Sequence, residues 1–192
     1  MSKFLIAGLG NIGPEYAHTR HNIGFDVVDH FVEKHGGVFQ SDRLADLARV
    51  KYKGKILVCI KPTTYMNLSG KSIKYWLEKE HIPIDNLLVV LDELAIPLEK
   101  LKLKGKGSDA GHNGLKSIQE SLETTEYARL RFGIGNDYPK GAQVDFVLGK
   151  WRENEIPIVR KKIEKSSEVI ENYLVMGLER AMNTANNLDF GT

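Results

Sequence analysis

The sequence predicts a single domain of the mixed α/β class, and three observations support that prediction. The chain has 192 residues, enough for one sizeable hydrophobic core and marginal for two. Hydrophobic residues make up 42% of it and charged residues 27%, as is typical of globular proteins. Apolar runs of strand length alternate along the chain with stretches whose apolar residues recur at helical spacing. We therefore expect residues 1–192 to form one domain.

Six segments have the composition of β-strands. Two of them are predicted to form a hairpin around Lys53-Gly54, because this dipeptide suits a tight turn between strands. The run at 87–91 is apolar without alternation, so it is predicted to be an interior strand buried on both faces. The predicted strands are residues 3–9, 47–52, 55–61, 87–91, 101–104 and 128–134.

Apolar stripes at helical spacing predict the helices. Phe25, Val28 and Val32 share one face of the first, and Asn113 is expected to cap the third. Glycine-containing stretches at 105–111 and 133–141 are predicted to be mobile loops. The predicted helices are residues 24–35 and 70–80, a third through Leu122, a charged one from about 153 to about 177, and a short last one through Ala185.

Composition and charge narrow the classes of partner. The apolar runs are far shorter than the roughly 18 residues that span a bilayer, so a membrane protein is not predicted. Cys59 is the only cysteine, which indicates a buried, inert thiol and a cytoplasmic location. The net charge is only +2, but basic residues cluster at 49–61 and 99–116. A solvated strand face explains either cluster alone, whereas both clusters with Arg129 and Arg131 favour a polyanionic partner.

One motif points to a dinucleotide cofactor, but its context argues against that reading. Residues 8–13 match the fingerprint G-x-G-x-x-G directly after a predicted strand. The fingerprint requires a helix that opens within the glycines and an acid at the end of a second strand. Here the helix begins only near Gly24, and Asp29 and Glu33 fall inside it. A nicotinamide- or flavin-dependent oxidoreductase is therefore a disfavoured alternative, and no cofactor is expected.

Two polar residues at strand ends predict acid–base chemistry. His21 lies in an irregular polar segment, and Asp92 directly follows the predicted interior strand. A carboxylate that holds one imidazole nitrogen leaves the other free to take a proton from water. The pair thus predicts an enzyme that activates water without a serine or cysteine nucleophile. No metal site is predicted, because Glu93 and His112 stand isolated and no His-x-x-x-His pair occurs.

Five blocks of sequence follow one another between residue 3 and about residue 150. They are GLGNIGPEY (8–16) with TRHNIG (19–24), KPTTYMNLSG (61–70), DEL (92–94), GHNGLK (111–116) and RLRFGIG (129–135). In these blocks and in their order the chain resembles the bacterial peptidyl-tRNA hydrolase family. The resemblance implies a single twisted, mixed β-sheet flanked by α-helices. It also implies a cytoplasmic, usually monomeric, metal-independent esterase that cleaves peptides from the tRNA of stalled translation products.

The resemblance also implies roles for individual residues. By similarity His21 is the general base, Asp92 supports its basic form, and Asn11 helps to distinguish N-blocked peptidyl groups from free aminoacyl groups. Other matched positions contact the 3′ CCA end and nearby peptide, or clamp the 5′ phosphate region of the tRNA. The first set is Tyr16, Tyr65, Asn67 and Asn113, with Met66 packed at the cleft; the second is Lys104 and Arg131, with Lys102 a lesser candidate.

Three departures from the family pattern occur. Ile12 stands where proline is common, Ala95 stands where an acid is frequent, and Ser108-Asp109-Ala110 replaces a more glycine-rich run. The extra carboxylate of Asp109 near the expected RNA is mildly unfavourable. A non-catalytic RNA-binding relative is the second alternative, which the intact catalytic positions disfavour.

The sequence leaves one chemical role open. An amide side chain can donate a hydrogen bond to the oxyanion that develops during ester cleavage. Asn11, Asn67 and Asn113 are all suitable donors. Their relative positions decide which of them does so, and the sequence does not supply these.

Overall fold

The computed structural model describes residues 1–191 and contains one mixed sheet of seven strands. In the sheet the strands follow the order β2-β3-β4-β1-β5-β7-β6. Neighbours among β4, β1, β5 and β7 are parallel, whereas β2 with β3, β3 with β4 and β6 with β7 are antiparallel. The strands are β1 (Lys3–Gly8), β2 (Gln40–Asp42), β3 (Ala45–Tyr52), β4 (Lys55–Pro62), β5 (Leu87–Glu93), β6 (Leu101–Lys104) and β7 (Ala128–Gly133).

Helices cover both faces of this sheet, which confirms the predicted fold class. They are α1 (Ile23–Lys34), α2 (Ser69–Lys79), α3 (Asn113–Leu122), α4 (Gln143–Val147), α5 (Ile156–Met176) and α6 (Leu178–Ala185). Apolar residues of α1, α5 and α6 form one core, and those of α2 and α3 form the other. None of the helices in the part of the chain that the structure describes has the length and apolar composition that a membrane crossing requires.

Strand β5 contributes to both cores, as predicted for an interior strand. Leu88 and Val90 belong to the core under α1, whereas Leu87, Val89 and Leu91 belong to the core under α2 and α3. Alternate residues of a strand point to opposite faces of the sheet, so the continuous apolar run is required by burial on both sides. The buried run ends at Asp92, at the carboxyl end of the strand.

Several local predictions are confirmed and one is wrong. Lys53 and Gly54 both have positive φ and form the predicted hairpin turn between β3 and β4. Cys59 is buried, and burial raises the pKa of its thiol. Asn113 was expected to cap α3, but the cap is His112, whose Nδ1 accepts a hydrogen bond from the backbone N–H of Gly114 at 3.0 Å. Asn113 is instead the first residue of the helix.

Two elements, β2 and α4, were not predicted. β2 has three residues, all polar and exposed, so it carries no apolar alternation. α4 has five residues with one buried side chain, which is too short for a helical stripe to be recognised. The other six strands overlap the six predicted segments, because their apolar patterns can be recognised in the sequence.

The carboxyl ends of β1, β4 and β5 lie at the same edge of the sheet. Ala7 of β1 is aligned with Ile60 of β4, and Gly8 is aligned with Val90 of β5. Side chains that follow parallel strands therefore converge at this edge. Asn11 follows β1, the stretch from Tyr65 to Asn67 follows β4, and Asp92 lies at the end of β5.

Candidate active site

A cleft of about 390 Å³ opens at the carboxyl edge of the sheet. Its lining includes both polar and apolar side chains. The polar part contains Asn11, His21, Asn67, Asp92, His112 and Asn113, with Tyr65 and Met66 beside them in the sequence or the lining. The rest of the lining includes Leu94 and Ala95 and a wall formed by four residues in and directly after α4, namely Gln143, Val144, Val147 and Leu148.

A buried carboxylate joins two histidines on the floor of the cleft. Asp92 is only 2% exposed; its Oδ2 lies 2.8 Å from Nδ1 of His21, and its Oδ1 lies 2.8 Å from Nε2 of His112. The two imidazole rings are 5.2 Å apart between centroids. The predicted pairing of His21 with Asp92 is therefore present in the structure, and His112 completes a group of three.

The hydrogen bonds determine which nitrogen of each ring carries the proton. A backbone N–H can only donate, so the bond from Gly114 makes Nδ1 of His112 an acceptor and leaves the proton on Nε2. Nε2–H of His112 then donates to Asp92. Nδ1–H of His21 donates to the other carboxylate oxygen, which leaves Nε2 of His21 unprotonated. The ring of His21 lines the cleft, so the group can accept a proton there.

The same contacts shift the pKa values of both partners. Burial raises the pKa of Asp92, but His21 and His112 outweigh burial and hold that pKa well below its usual range. Burial lowers the pKa of His21, and the charge and hydrogen bond of Asp92 outweigh this effect, so the pKa lies above the ordinary value. Asp92 is thus a carboxylate at every physiological pH, and His21 is a stronger base than a free imidazole.

Three hydrogen bonds fix the backbone and the side chain of Asn11. Its backbone N–H donates to Oδ1 of Asn22 at 2.8 Å, and its backbone carbonyl accepts from Nδ2 of Asn22 at 2.9 Å. Its own side-chain Oδ1 accepts from the backbone N–H of Met66 at 2.8 Å. These bonds fix the amide so that Nδ2 has no hydrogen-bond partner among residues 1–191, and it remains available as a donor to a ligand.

The other predicted residues of the 3′-end set differ in their positions. Tyr65, Asn67 and Asn113 are exposed and line the cleft, and Met66 is buried beside them. Tyr16 lies in the 3-10 turn Pro14–Tyr16 and is not among the residues that line the cleft. Four of the five members of this set therefore converge in one place.

The two residues predicted to clamp phosphate lie outside the cleft. Arg131 is only 9% exposed; its guanidinium donates to the carboxylate of Glu93 and, at 3.1 Å, to the carbonyl of Ser108. Its Nε has no partner within the described chain. Lys104 is exposed at the end of the edge strand β6, whereas Nζ of Lys102 donates to the carbonyl of Asn186. Of these three basic residues, only Lys104 is exposed to solvent.

Sequence reasoning missed two parts of the site. His112 was treated as isolated, although its place in a Gly-His-Asn stretch before a helix is a signal of a functional cap. The wall formed by α4 has no recognisable pattern. The carboxylate of Asp92 and the nitrogens of His21 and His112 lie within 4.8 Å of one another and are ligands that a metal ion accepts. A metal ion bound there would replace the protons on Nδ1 of His21 and Nε2 of His112. It would also favour a proton on Nδ1 of His112, and that atom could then not accept the hydrogen bond from the backbone N–H of Gly114.

Comparison with known proteins gives one consistent result. The model of the family described as "Peptidyl-tRNA hydrolase" matches residues 5–191. A peptidyl-tRNA hydrolase of Parabacteroides distasonis is 52% identical over 96% of this chain and 99% of its own length. One of Phocaeicola vulgatus is 50% identical, over 96% of this chain and 98% of its own. The crystal structure of the peptidyl-tRNA hydrolase of Acinetobacter baumannii is similar with a TM-score of 0.92, at 33% identity, covering 98% of this chain and 96% of that one.

Proposed function

The chain belongs to the peptidyl-tRNA hydrolase family, and we propose that it hydrolyses the ester bond between peptide and tRNA with His21 as the general base. Its products are free tRNA and free peptide, which return to translation. The observation that carries the mechanism is the arrangement of His21, whose Nδ1 donates to the buried carboxylate of Asp92 while its Nε2 is left unprotonated. An imidazole held in this way is suited to remove a proton from water near neutral pH.

The reaction proceeds in two proton transfers. Nε2 of His21 takes a proton from a water molecule while the water oxygen attacks the carbonyl carbon of the ester. The tetrahedral intermediate then expels the ribose oxygen, and the imidazolium returns the proton to that oxygen as the bond to carbon breaks. Asp92 stabilises the imidazolium between the two steps, because its charge lies 2.8 Å from the protonated ring.

Asn11 is the amide that we assign to recognition of the peptide. Because its Oδ1 is engaged by Met66, it offers the cleft a donor in a fixed direction. An N-blocked substrate has an amide carbonyl beside the scissile ester, which accepts a hydrogen bond. A free aminoacyl group has an ammonium at that place, which can only donate. The two donors repel, so Asn11 favours the blocked substrate.

Replacement of Asn11 with alanine should reduce this preference. The ratio of kcat/KM for N-acetyl-aminoacyl-tRNA to that for aminoacyl-tRNA is expected to fall by about 5- to 150-fold, since leaving a buried hydrogen-bonding group without its partner costs about 1–3 kcal/mol. Asn11→Asp should lower the ratio further, because a carboxylate accepts from the ammonium. The measurement is a side-by-side turnover assay with both substrates. An unchanged ratio in both variants would remove Asn11 from this role.

The tRNA is proposed to bind by its acceptor end. Tyr65 is 54% exposed at the rim of the cleft and is available to stack on an unpaired 3′ base, which contributes roughly 1–3 kcal/mol. Asn67 and Asn113 offer amide groups beside it. Lys104 is proposed to contact the 5′ phosphate region. Arg131, which is tied to Glu93, contributes positive charge from beneath the loop at 105–111.

Replacement of Lys104 with alanine tests the phosphate contact. Removal of one such contact should flatten the dependence of log K on log salt by up to about one unit, with kcat little changed. Lys161→Ala is the matched control, because Lys161 is an exposed lysine of α5 that lies outside both basic clusters. The measurement is tRNA affinity at several salt concentrations. Equal slopes for the two variants would exclude Lys104 from phosphate binding.

We also propose that the protein works as a cytoplasmic monomer without a cofactor and that residues 1–192 are one functional domain, as its substrate and family suggest. The decisive experiment for the function is incubation of purified protein with N-acetyl-aminoacyl-tRNA and with aminoacyl-tRNA, each with and without a chelator. Release of free tRNA from the blocked substrate, unaffected by the chelator, is expected. Binding of tRNA without cleavage would instead identify a non-catalytic RNA-binding protein.

A further inference from the structure

We propose that Arg20 is a positioning residue that sets the position of the α4 wall relative to His21 by attaching α4 to the turn that carries His21. This proposal rests on the proposed function. Arg20 precedes His21 in the 3-10 turn Arg20–Asn22, and it is 3% exposed. It is not among the residues that line the cleft, so it does not touch the reacting atoms.

Three hydrogen bonds connect Arg20 to the segment from α4 to α5. Its Nη1 donates to the carbonyl of Phe146 at 3.1 Å, and its Nη2 donates to Oε1 of Glu155 at 2.8 Å. Its backbone N–H donates to the carbonyl of Gly149 at 3.0 Å. The side chain therefore binds the end of α4 and the residue before α5, while its backbone binds the connection between them.

Packing adds to these hydrogen bonds. The guanidinium carbon lies 4.2 Å from the centre of the Phe146 ring and 5.4 Å from the Trp151 ring. A Cβ at Gly149 would come within 3.1 Å of Nη1 of Arg20, so the connection passes directly over the guanidinium. Oε1 of Glu155 also accepts from the backbone N–H of Arg152 at 2.7 Å. The carboxylate of Glu155 thus binds the side chain of Arg20 and also the backbone just before α5.

These contacts link the turn that carries His21 to the α4 wall of the cleft. α4 has only five residues, too few for a helix to be stable without tertiary contacts. Its Val144 and Val147 line the same cleft as His21. A shift of Arg20 moves His21 through the backbone and moves the wall through Phe146. Such a shift alters substrate position, and a misplacement of about 1 Å can cost about 10²-fold in rate.

The planar guanidinium is required for this attachment. Lysine would keep the charge, but a compact ammonium cannot bind the carbonyl of Phe146 and the carboxylate of Glu155 in the same fork geometry while it stacks on two rings. A role based only on charge therefore predicts that lysine restores activity. A positioning role predicts that it does not.

The test compares Arg20→Lys with Arg152→Lys. Arg152 lies on the same segment and pairs with Asp137, but its side chain is 49% exposed, so its loss should leave kcat/KM within about twofold. For Arg20→Lys we expect kcat/KM to fall by about 10- to 100-fold, with KM raised and the acid limb of the pH profile in its wild-type position. Retained activity, or a loss that matches the unfolded fraction seen in a thermal melt, would overturn the proposal. A shifted acid limb would also do so.

Two further measurements make the outcome decisive. Hydrogen exchange of the amides at 143–149 should be faster in Arg20→Lys than in Arg152→Lys, and equal exchange would overturn the proposal whatever the enzyme assay gives. If Arg20→Lys does not fold, Glu155→Ala removes the acceptor of the same contact, and wild-type kinetics and exchange in that variant would count against it. Cleavage by wild-type protein in the same assay tests the proposed function separately.

Discussion

Alanine at position 21 is expected to lower kcat by about 10²- to 10⁴-fold, which is the contribution of a positioned general base. His21 is the group whose free nitrogen faces the cleft, and Nε2 of the nearby His112 is already engaged as a donor to Asp92. No second imidazole can therefore take over the proton transfer without a rearrangement. The measurement is single-turnover cleavage of N-acetyl-aminoacyl-tRNA, in which product release does not limit the rate.

A matched control separates loss of catalysis from loss of structure. His30 lies on α1, away from the cleft, and its side chain also makes one hydrogen bond, to Ser167. His30→Ala thus removes an imidazole and one bond but should retain full turnover. Both variants should bind tRNA and melt at similar temperatures. Turnover of His21→Ala within about threefold of wild type would assign the base to another group.

Long apolar runs made the fold predictable from the sequence. The run from Leu87 to Leu91 predicted an interior strand, because it places apolar side chains on both faces of the sheet. The position of Asp92 at its carboxyl end then followed, and both are consequences of strand periodicity, which depends on local sequence alone. The meeting of Asp92 with His21 and Asn11 also requires β1 and β5 to be neighbours, which strand periodicity does not determine.

Side-chain direction was less predictable. Arg131 and Lys104 were both predicted to clamp the 5′ phosphate region, yet one donates to Glu93 inside the protein and the other faces solvent. The difference arises from their places in the sheet, since Arg131 is on β7, which is interior, and Lys104 is on β6, which is the edge. Strand order is a long-range property, and no local pattern in the sequence encodes it.

Which nitrogen of His112 carries the proton could not be predicted from the sequence. An isolated histidine near a helix start is compatible with a cap, a metal ligand or a surface residue. The bond from the backbone of Gly114 decides among these, because it makes Nδ1 an acceptor and Nε2 a donor. His21, Asp92 and His112, which are at least 20 residues apart in the sequence, must meet in the fold before the protonation of His112 affects catalysis. The effect is expected to become measurable when the charge of Asp92 is removed.

Asparagine at position 92 is expected to reduce turnover by as much as about 10⁴-fold, the size of the same exchange in a serine protease triad. Its amide has one acceptor and one donor end, whereas Asp92 accepts from both histidines. His112 is fixed as an Nε2–H donor by Gly114, so the amide oxygen must face His112 and the NH₂ group must face His21. His21 is then forced to accept at Nδ1 and to carry its proton on Nε2, where it cannot act as a base.

Control of His21 by the orientation of the amide predicts a rescue that loss of charge alone does not. Removal of His112 in the Asp92→Asn variant frees the amide to rotate, and its oxygen can then accept from Nδ1–H of His21. The double variant Asp92→Asn with His112→Ala should therefore recover about tenfold of the lost kcat, which is the equivalent of one hydrogen bond. The acid limb of kcat/KM should also move to lower pH in the double variant. The Asp92 carboxylate raises the pKa of His21, so its removal lets His21 stay neutral, and active, in more acidic solution. Equal turnover in the single and double variants would show that the orientation of the amide does not control His21.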